Sequence, residues 1–108
     1  MALQKDTPHK GYTANYWAIG PQIHDPLQRT LVVDMVLYKD SATYDSDPIG
    51  NALITYPEKF IIKGSDYDSV FETTNTVTQM LMAIFAVIKA QVDLDGNPGY
   101  FADAEIIP

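Results

Sequence analysis

The stretch DLDGNPGYFADAE near the carboxyl end has residue types that could bind calcium. An EF-hand loop places oxygen ligands at positions 1, 3 and 5, a glycine at position 6 and a bidentate glutamate at position 12. Asp93, Asp95 and Asn97 match the first three positions and are therefore candidate metal ligands. Position 6, however, is Pro98, whose ring fixes φ at about −65°, and position 12 is Ala104. These two mismatches favour a turn over a metal site, so we expect neither a metal nor another cofactor.

His24 and Asp25 are adjacent and could form one edge of a catalytic pair. Catalytic triads, however, are assembled across space rather than along the sequence. No G-x-S-x-G, H-E-x-x-H or phosphate-binding glycine loop accompanies the pair. We therefore expect an exposed loop histidine and no enzymatic activity.

Two pairs of aspartates could bind a divalent ion or another ligand. Aspartate is also favoured in turns, where its side chain hydrogen-bonds the local backbone, and both pairs lie in turn-like stretches. A small acidic ligand- or Ca2+-binding module without catalysis is therefore the alternative function. The pairs are Asp45 with Asp47 and Asp66 with Asp68.

The composition is that of an ordinary globular protein. A hydrophobic content of 46% and a charged content of 19% argue against disorder, and 108 residues fit a single domain, 1–108. The lack of cysteine excludes disulfides and thiolate chemistry. The net charge of −7 disfavours a nucleic-acid partner, because phosphates would be repelled. The longest apolar run, MLMAIFAVI, has nine residues, which is too few to cross a membrane.

The residue pattern predicts an α+β fold, a small antiparallel sheet of three to four strands with one long helix packed on it near the C-terminus. The clearest strand covers residues 29–39, where apolar residues alternate onto one face. The aromatic-rich residues 11–20 and the extended residues 52–63 supply neighbouring strands. Apolar residues at i, i+3, i+4 and i+7 predict the helix over 74–91. Residues 1–10 are polar and are expected to form a flexible arm.

The predicted helix is apolar over more of its surface than one small sheet can cover. A helix resting on a single sheet should have a polar outer face. We therefore predict that a partner subunit covers this helix and that the chain is a homo-oligomer. Folding of the N-terminal arm or of the C-terminal tail over the helix is the alternative. The predicted interface residues are Met82, Phe85, Ala86, Val87, Tyr100 and Phe101.

The order of these features is similar to that in one group of proteins. An aromatic strand precedes a strand that ends in tyrosine and a polar residue, followed by a polar connection and a third strand. A helix with a lysine near its end and a final F-x-x-A then complete the pattern. The matching positions are Tyr16, Ile19, Val32, Tyr38, Lys39, Lys89, Phe101, Ala102 and Ala104. In this order the chain resembles small uncharacterised proteins encoded in the structural, tail-associated modules of phages and prophages.

The resemblance implies a phage- or prophage-derived structural or assembly protein that is tail-associated. Such a protein would act by self-association and by docking to other phage tail or structural proteins. The resemblance supplies no catalytic residues. It implies a location in the cytoplasm of the bacterial host during assembly, with the virion as a second location. Nucleic-acid and membrane partners are not expected, on the charge and hydropathy grounds given above.

Overall fold

One antiparallel sheet of six strands organises the chain, and three helices pack against it. The structure is a computed structural model that describes all residues from 1 to 108. Across the sheet the strand order is β4, β3, β2, β1, β6, with β5 beside β4 on the same edge of β3. The strands are β1 (Ala2–His9), β2 (Tyr12–Asp25), β3 (Thr30–Tyr38), β4 (Ile54–Thr55), β5 (Phe60–Lys63) and β6 (Glu105–Ile107). The helices are α1 (Ser41–Ser46), α2 (Ser65–Phe71) and α3 (Val77–Ala90).

The predicted fold class is wrong in its number of strands and in the weight that it gives to one long helix. The sheet has six strands instead of three to four, and the helices account for only 25% of the chain. Strands β4 and β6 contain two and three residues, too few to show an alternating pattern in the sequence. Helix α1 depends on a cap rather than on periodicity, since Asp40 Oδ1 accepts from the Thr43 backbone N–H at 2.8 Å.

Residues 1–10, expected to be a flexible arm, instead form strand β1 between β2 and β6. Leu3 and Thr7 are both buried. A register shift between Gln4 and Thr7 interrupts the alternation of side chains, which explains why the sequence pattern gives no strand signal here. Lys10 and Gly11 close the hairpin with φ values of 46° and 88°, which fits the left-handed backbone of a tight two-residue turn.

Strand β2 also runs further than the predicted strand over 11–20, and continues past Pro21 as far as Asp25. A bulge between Ile19 and Gln22 takes up Gly20 and Pro21, so the missing proline N–H falls outside the regular ladder. Glycine is required at position 20, because a Cβ there would lie 2.6 Å from a methyl carbon of Val36. After the bulge the strand resumes and pairs with β3 as far as Asp25.

The main core lies between one face of the sheet and helices α2 and α3. Thr76 caps α3, and its hydroxyl oxygen accepts a hydrogen bond from the Gln79 backbone N–H at 3.1 Å. Trp17 and Met35 from the sheet and Ile84 from α3 are all at most 2% exposed within this core. None of the three helices has the length and apolar character needed to span a bilayer.

A second, smaller apolar cluster lies on the opposite face of the sheet, beneath α1. The Tyr44 ring of α1 lies 5.2 Å from Tyr16 and 4.9 Å from Tyr38, measured between ring centroids. Tyr38 donates its hydroxyl hydrogen to the carbonyl of Pro48, which anchors the chain after α1. Burial raises the pKa of both Tyr16 and Tyr38 because the phenolate form would lose its hydration. Helix α1 therefore covers one end of this face and leaves the rest open.

Candidate functional site

Three of the six predicted interface residues lie inside the chain's own core. Phe85, Val87 and Phe101 are 0%, 8% and 1% exposed, so the chain itself already buries these three side chains. For Phe85 and Val87 the reason is that α3 contacts α2 as well as the sheet, and both contacts use its wide apolar surface. The sequence pattern shows that a helix face is buried but not which neighbour buries it.

The other three predicted interface residues reach the surface. Met82 is 49% exposed, Tyr100 is 38% exposed, and Ala86 is also exposed. Met82 and Ala86 are four residues apart and form a single narrow stripe on α3. Such a stripe is smaller than the interface that the sequence pattern predicts.

Tyr100 is held in place by a buried hydrogen-bond network. The hydroxyl oxygen of Thr7 accepts from the Trp17 indole N–H at 3.0 Å and lies 2.9 Å from the Tyr100 hydroxyl oxygen. The Thr7 hydroxyl also lies 3.1 Å from the carbonyl of Lys5, to which it donates. The Tyr100 hydroxyl is then the donor to Thr7. This network joins strands β1 and β2 to the segment that precedes β6.

Replacing Thr7 by valine is expected to lower the free energy of unfolding by about 1 to 3 kcal/mol. The shape of the side chain is nearly kept, but the buried indole N–H of Trp17 loses its acceptor. Urea denaturation followed by Trp17 fluorescence measures the change. Thr7→Ser retains the hydroxyl and should lower the free energy of unfolding by less than Thr7→Val does. Equal stability of Thr7→Val and the unmodified chain would show that the network is not stabilising.

The candidate metal ligands form a turn that is stabilised by Asp93. One carboxylate oxygen of Asp93 accepts from the backbone N–H groups of Asp95 and Asn97, each at 2.9 Å. The other oxygen accepts from the Asn97 side-chain amide at 3.3 Å. These bonds, led by the one from the Asn97 backbone, hold the pKa of Asp93 below its usual range. Gly96, with φ of 82°, supplies the left-handed residue of this turn.

The Asp93 turn is expected to weaken in acid. The pKa of Asp93 is lowered in the folded chain, so its contribution to stability is present above about pH 4 and is lost as the pH falls through the folded value. Asp93→Asn keeps an acceptor oxygen but cannot titrate. Its melting temperature should therefore fall less between about pH 4 and pH 2 than that of the unmodified chain. Asp95→Asn, which removes a neighbouring charge but no acceptor of the turn, is the control; identical acid profiles for all three proteins would contradict the assignment.

His24 packs against α2 instead of joining a carboxylate. Its Nε2 lies 2.7 Å from the Tyr67 hydroxyl oxygen, and its ring stacks on Phe71 with 4.4 Å between centroids. Asp25 turns away, because its Oδ1 accepts from two backbone N–H groups of the β2–β3 turn at 3.1 and 3.2 Å. The His24–Asp25 pair thus joins a hairpin to a helix and closes a turn.

One aspartate of each of the two pairs has a local partner. Asp47 accepts from the Gly50 backbone N–H at 2.9 Å, and Asp68 forms an ion pair with Arg29. No three acidic or histidine side chains of the chain come together as a possible metal-ion site.

The sheet face away from α2 and α3 carries an exposed row of aliphatic side chains. Ile23 on β2 pairs with Val32 on β3, and Val32 pairs with Ile61 on β5, so the three lie side by side. Directly paired residues point to the same face of an antiparallel sheet. Ile23 is 65% exposed and Ile61 is 53% exposed. We call this row of Ile23, Val32 and Ile61 the open face.

Charged residues border the open face on both sides. The next row towards the β2–β3 turn pairs Asp25 with Thr30 and Thr30 with Lys63. On the other side, the Lys59 ammonium contacts both carboxylate oxygens of the buried Asp34 side chain at 2.9 and 3.0 Å. This ion pair lies between the open face and the part of the sheet that α1 covers. An apolar centre with a charged border is typical of a protein-interaction surface.

Sequence reasoning did not identify the open face. Ile23 lies beyond the predicted strand over 11–20, and the predicted strand over 52–63 gives no partner for Ile61. The sequence does contain one indication of this surface. Val32 is an apolar residue on the mixed face of β3, opposite the purely apolar face of that strand.

Comparisons of the chain with protein-family models, with curated proteins and with solved structures gave no match.

Proposed function

We propose that this chain is a phage- or prophage-derived structural or assembly protein, tail-associated, that acts by self-association and by docking to other tail or structural proteins. The observation that carries the proposal is the open face, because a row of exposed β-branched side chains on a sheet is costly to leave in water. The sequence resemblance described above supports the phage assignment independently of this surface.

The partner proposed for the open face is a second copy of the same chain, related by a two-fold axis that runs along β3. Because β2 and β5 flank β3, this rotation places Ile23 of one copy over Ile61 of the other. It also places Asp25 over Lys63, while Val32 meets Val32 at the axis. An isologous interface requires a self-complementary surface, and this face meets that condition in both its apolar and its charged rows.

An interface through the open face would use a modest share of the molecular surface. A stable interface buries about 800 Å² per partner, which is about one eighth of the 6649 Å² surface of the chain. The three open-face residues supply the apolar centre, and the two flanking charged rows supply the rim. Because α1 stands on the same face near Tyr38, the two sheets would meet through their open-face ends and diverge towards α1.

Exchanging the charges of Asp25 and Lys63 tests both self-association and its geometry. Lys63→Asp alone should weaken dimerisation at least about tenfold, because two carboxylates then face each other twice in the dimer. Asp25→Lys should act in the same way, and the double variant should regain most of the affinity. Sedimentation equilibrium measures the dissociation constants, with melting curves alongside because Asp25 also closes a turn. If the double variant loses as much free energy of dimerisation as the two single variants together, the proposed two-fold arrangement is wrong.

A further inference from the structure

A cavity of about 120 Å³ opens on the opposite side of the molecule from the open face, between the β4–β5 connection, the end of α3 and the Asp93 turn. The rings of Tyr56, Phe60 and Tyr100 line it, together with the buried side chain of Ile88. Tyr56 stacks on Phe60 with 5.6 Å between centroids and lies 5.5 Å from Tyr100. The three rings therefore form a continuous aromatic wall.

Two acidic residues, Glu58 and Asp93, are among the residues that line this cavity. Glu58 takes part in none of the ion pairs of the chain. Burial raises the pKa of the Tyr56 hydroxyl, and the Glu58 charge raises it further. The Asp93 carboxylate is also ionised at neutral pH, since its turn hydrogen bonds lower its pKa. Negatively charged side chains beside aromatic rings are complementary to a cation.

We propose that this cavity binds the side chain of an arginine from a partner protein. The guanidinium would stack on the aromatic wall and be attracted by the ring quadrupoles, while Glu58 accepts its hydrogen bonds. Arginine fits better than lysine because its planar head stacks on aromatic faces. Tyr100 already accepts a cation within the chain, the Lys5 ammonium at 4.5 Å from its ring centroid. This cavity would be the site at which another tail or structural protein docks, so the inference rests on the docking part of the proposed function.

The walls of the cavity are fixed before any partner arrives. The Gly99 N–H donates to the carbonyl of Gln91 at 3.2 Å, and a Cβ at position 99 would lie 2.9 Å from that oxygen. The Gln91 side-chain amide donates to the carbonyl of Ile61 at 3.2 Å, which ties the end of α3 to β5. The Thr7 network fixes the Tyr100 hydroxyl. A partner side chain would therefore enter a largely preformed site and lose little affinity to reorganisation.

Titration with N-acetyl-arginine methylamide, followed by the aromatic NMR signals of Tyr56 and Tyr100, tests this site. Saturable shifts are expected with a dissociation constant of about 1 to 10 mM, the range for a single side chain. The citrulline analogue has nearly the same shape without the charge and should bind at least about fivefold more weakly. Glu58→Gln should weaken arginine binding by a similar factor and leave citrulline binding unchanged, whereas Glu105→Gln, at a different surface, should alter neither.

The proposed arginine site would be contradicted by the lack of a saturable shift at about 50 mM ligand. Equal binding of arginine and citrulline, or an unchanged arginine affinity in Glu58→Gln, would also contradict it. The titration uses a small ligand and does not require dimers, so it can fail while self-association is observed. Conversely, a monomeric chain that binds arginine would contradict the self-association part of the proposed function and leave this cavity intact.

Discussion

Replacing Phe101 by alanine is expected to lower the free energy of unfolding by about 3 to 5 kcal/mol without changing the mass of the protein in solution. Phe101 is 1% exposed, and its ring centroid lies 5.1 Å from those of both Trp17 and Tyr56. Removing the ring leaves a cavity in the main core and breaks an aromatic cluster that contributes beyond its buried area. Since domains of this size are stable by only about 5 to 15 kcal/mol, the loss is a large share of the total.

Two further variants make this expectation decisive. Phe101→Leu keeps most of the side-chain volume and should lower the free energy of unfolding by less than about 1.5 kcal/mol. It can be compared with the unmodified chain even if the alanine variant does not fold. Leu94→Ala removes a fully exposed apolar side chain and should stay within about 0.5 kcal/mol of the unmodified chain. Guanidinium denaturation measures all three. A Phe101→Ala protein of unchanged stability but reduced mass would instead place Phe101 at an interface, as the sequence pattern predicts.

Replacing Ile61 by aspartate is expected to weaken self-association by at least about 100-fold while leaving the fold intact. In the proposed dimer each introduced carboxylate would face Ile23 of the other copy in an apolar centre, and the two-fold axis repeats this cost. Ile61 is 53% exposed in the single chain, so the aspartate remains hydrated in the folded monomer. Dissociation constants come from sedimentation velocity over a range of concentrations.

Ile49→Asp is the matched control for this change. Ile49 is 92% exposed and lies outside both the sheet and the open face, so the same substitution there should leave dimerisation unchanged. Melting curves should show both variants folded. Equal self-association of Ile61→Asp and Ile49→Asp would exclude the open face as the contact between copies.

Regular periodicity predicts the central elements of this fold correctly. Alternation over 29–39 locates β3, and the helical spacing over 74–91 locates α3, because each element is long and has one consistently apolar face. Strand β1 escapes prediction because a bulge near Thr7 shifts its alternation and because its surface residues are polar. The second half of β2 escapes for the same reason, since the bulge at Gly20 looks like the start of a loop.

The site is harder to predict than the fold, because it depends on which elements are neighbours. The apolar width of α3 indicates more than one buried contact, but α2 supplies the second contact and, of the predicted interface residues on α3, leaves Met82 and Ala86 outside. Ile23 and Ile61 are 38 positions apart in sequence and become neighbours of Val32 only through the order of β2, β3 and β5. No local pattern carries that information. The cavity lined by Tyr56, Phe60 and Tyr100 is likewise assembled from the β4–β5 connection, α3 and the Asp93 turn.

The mass of the unmodified protein in solution, measured by sedimentation equilibrium from about 1 μM to 1 mM, tests self-association most directly. Dimerisation through the open face predicts a mass that rises with concentration towards twice the 12.0 kDa of one chain. It also predicts that the limit is a closed dimer, because an isologous contact uses the same face on both copies. A mass of 12.0 kDa at every concentration would contradict self-association.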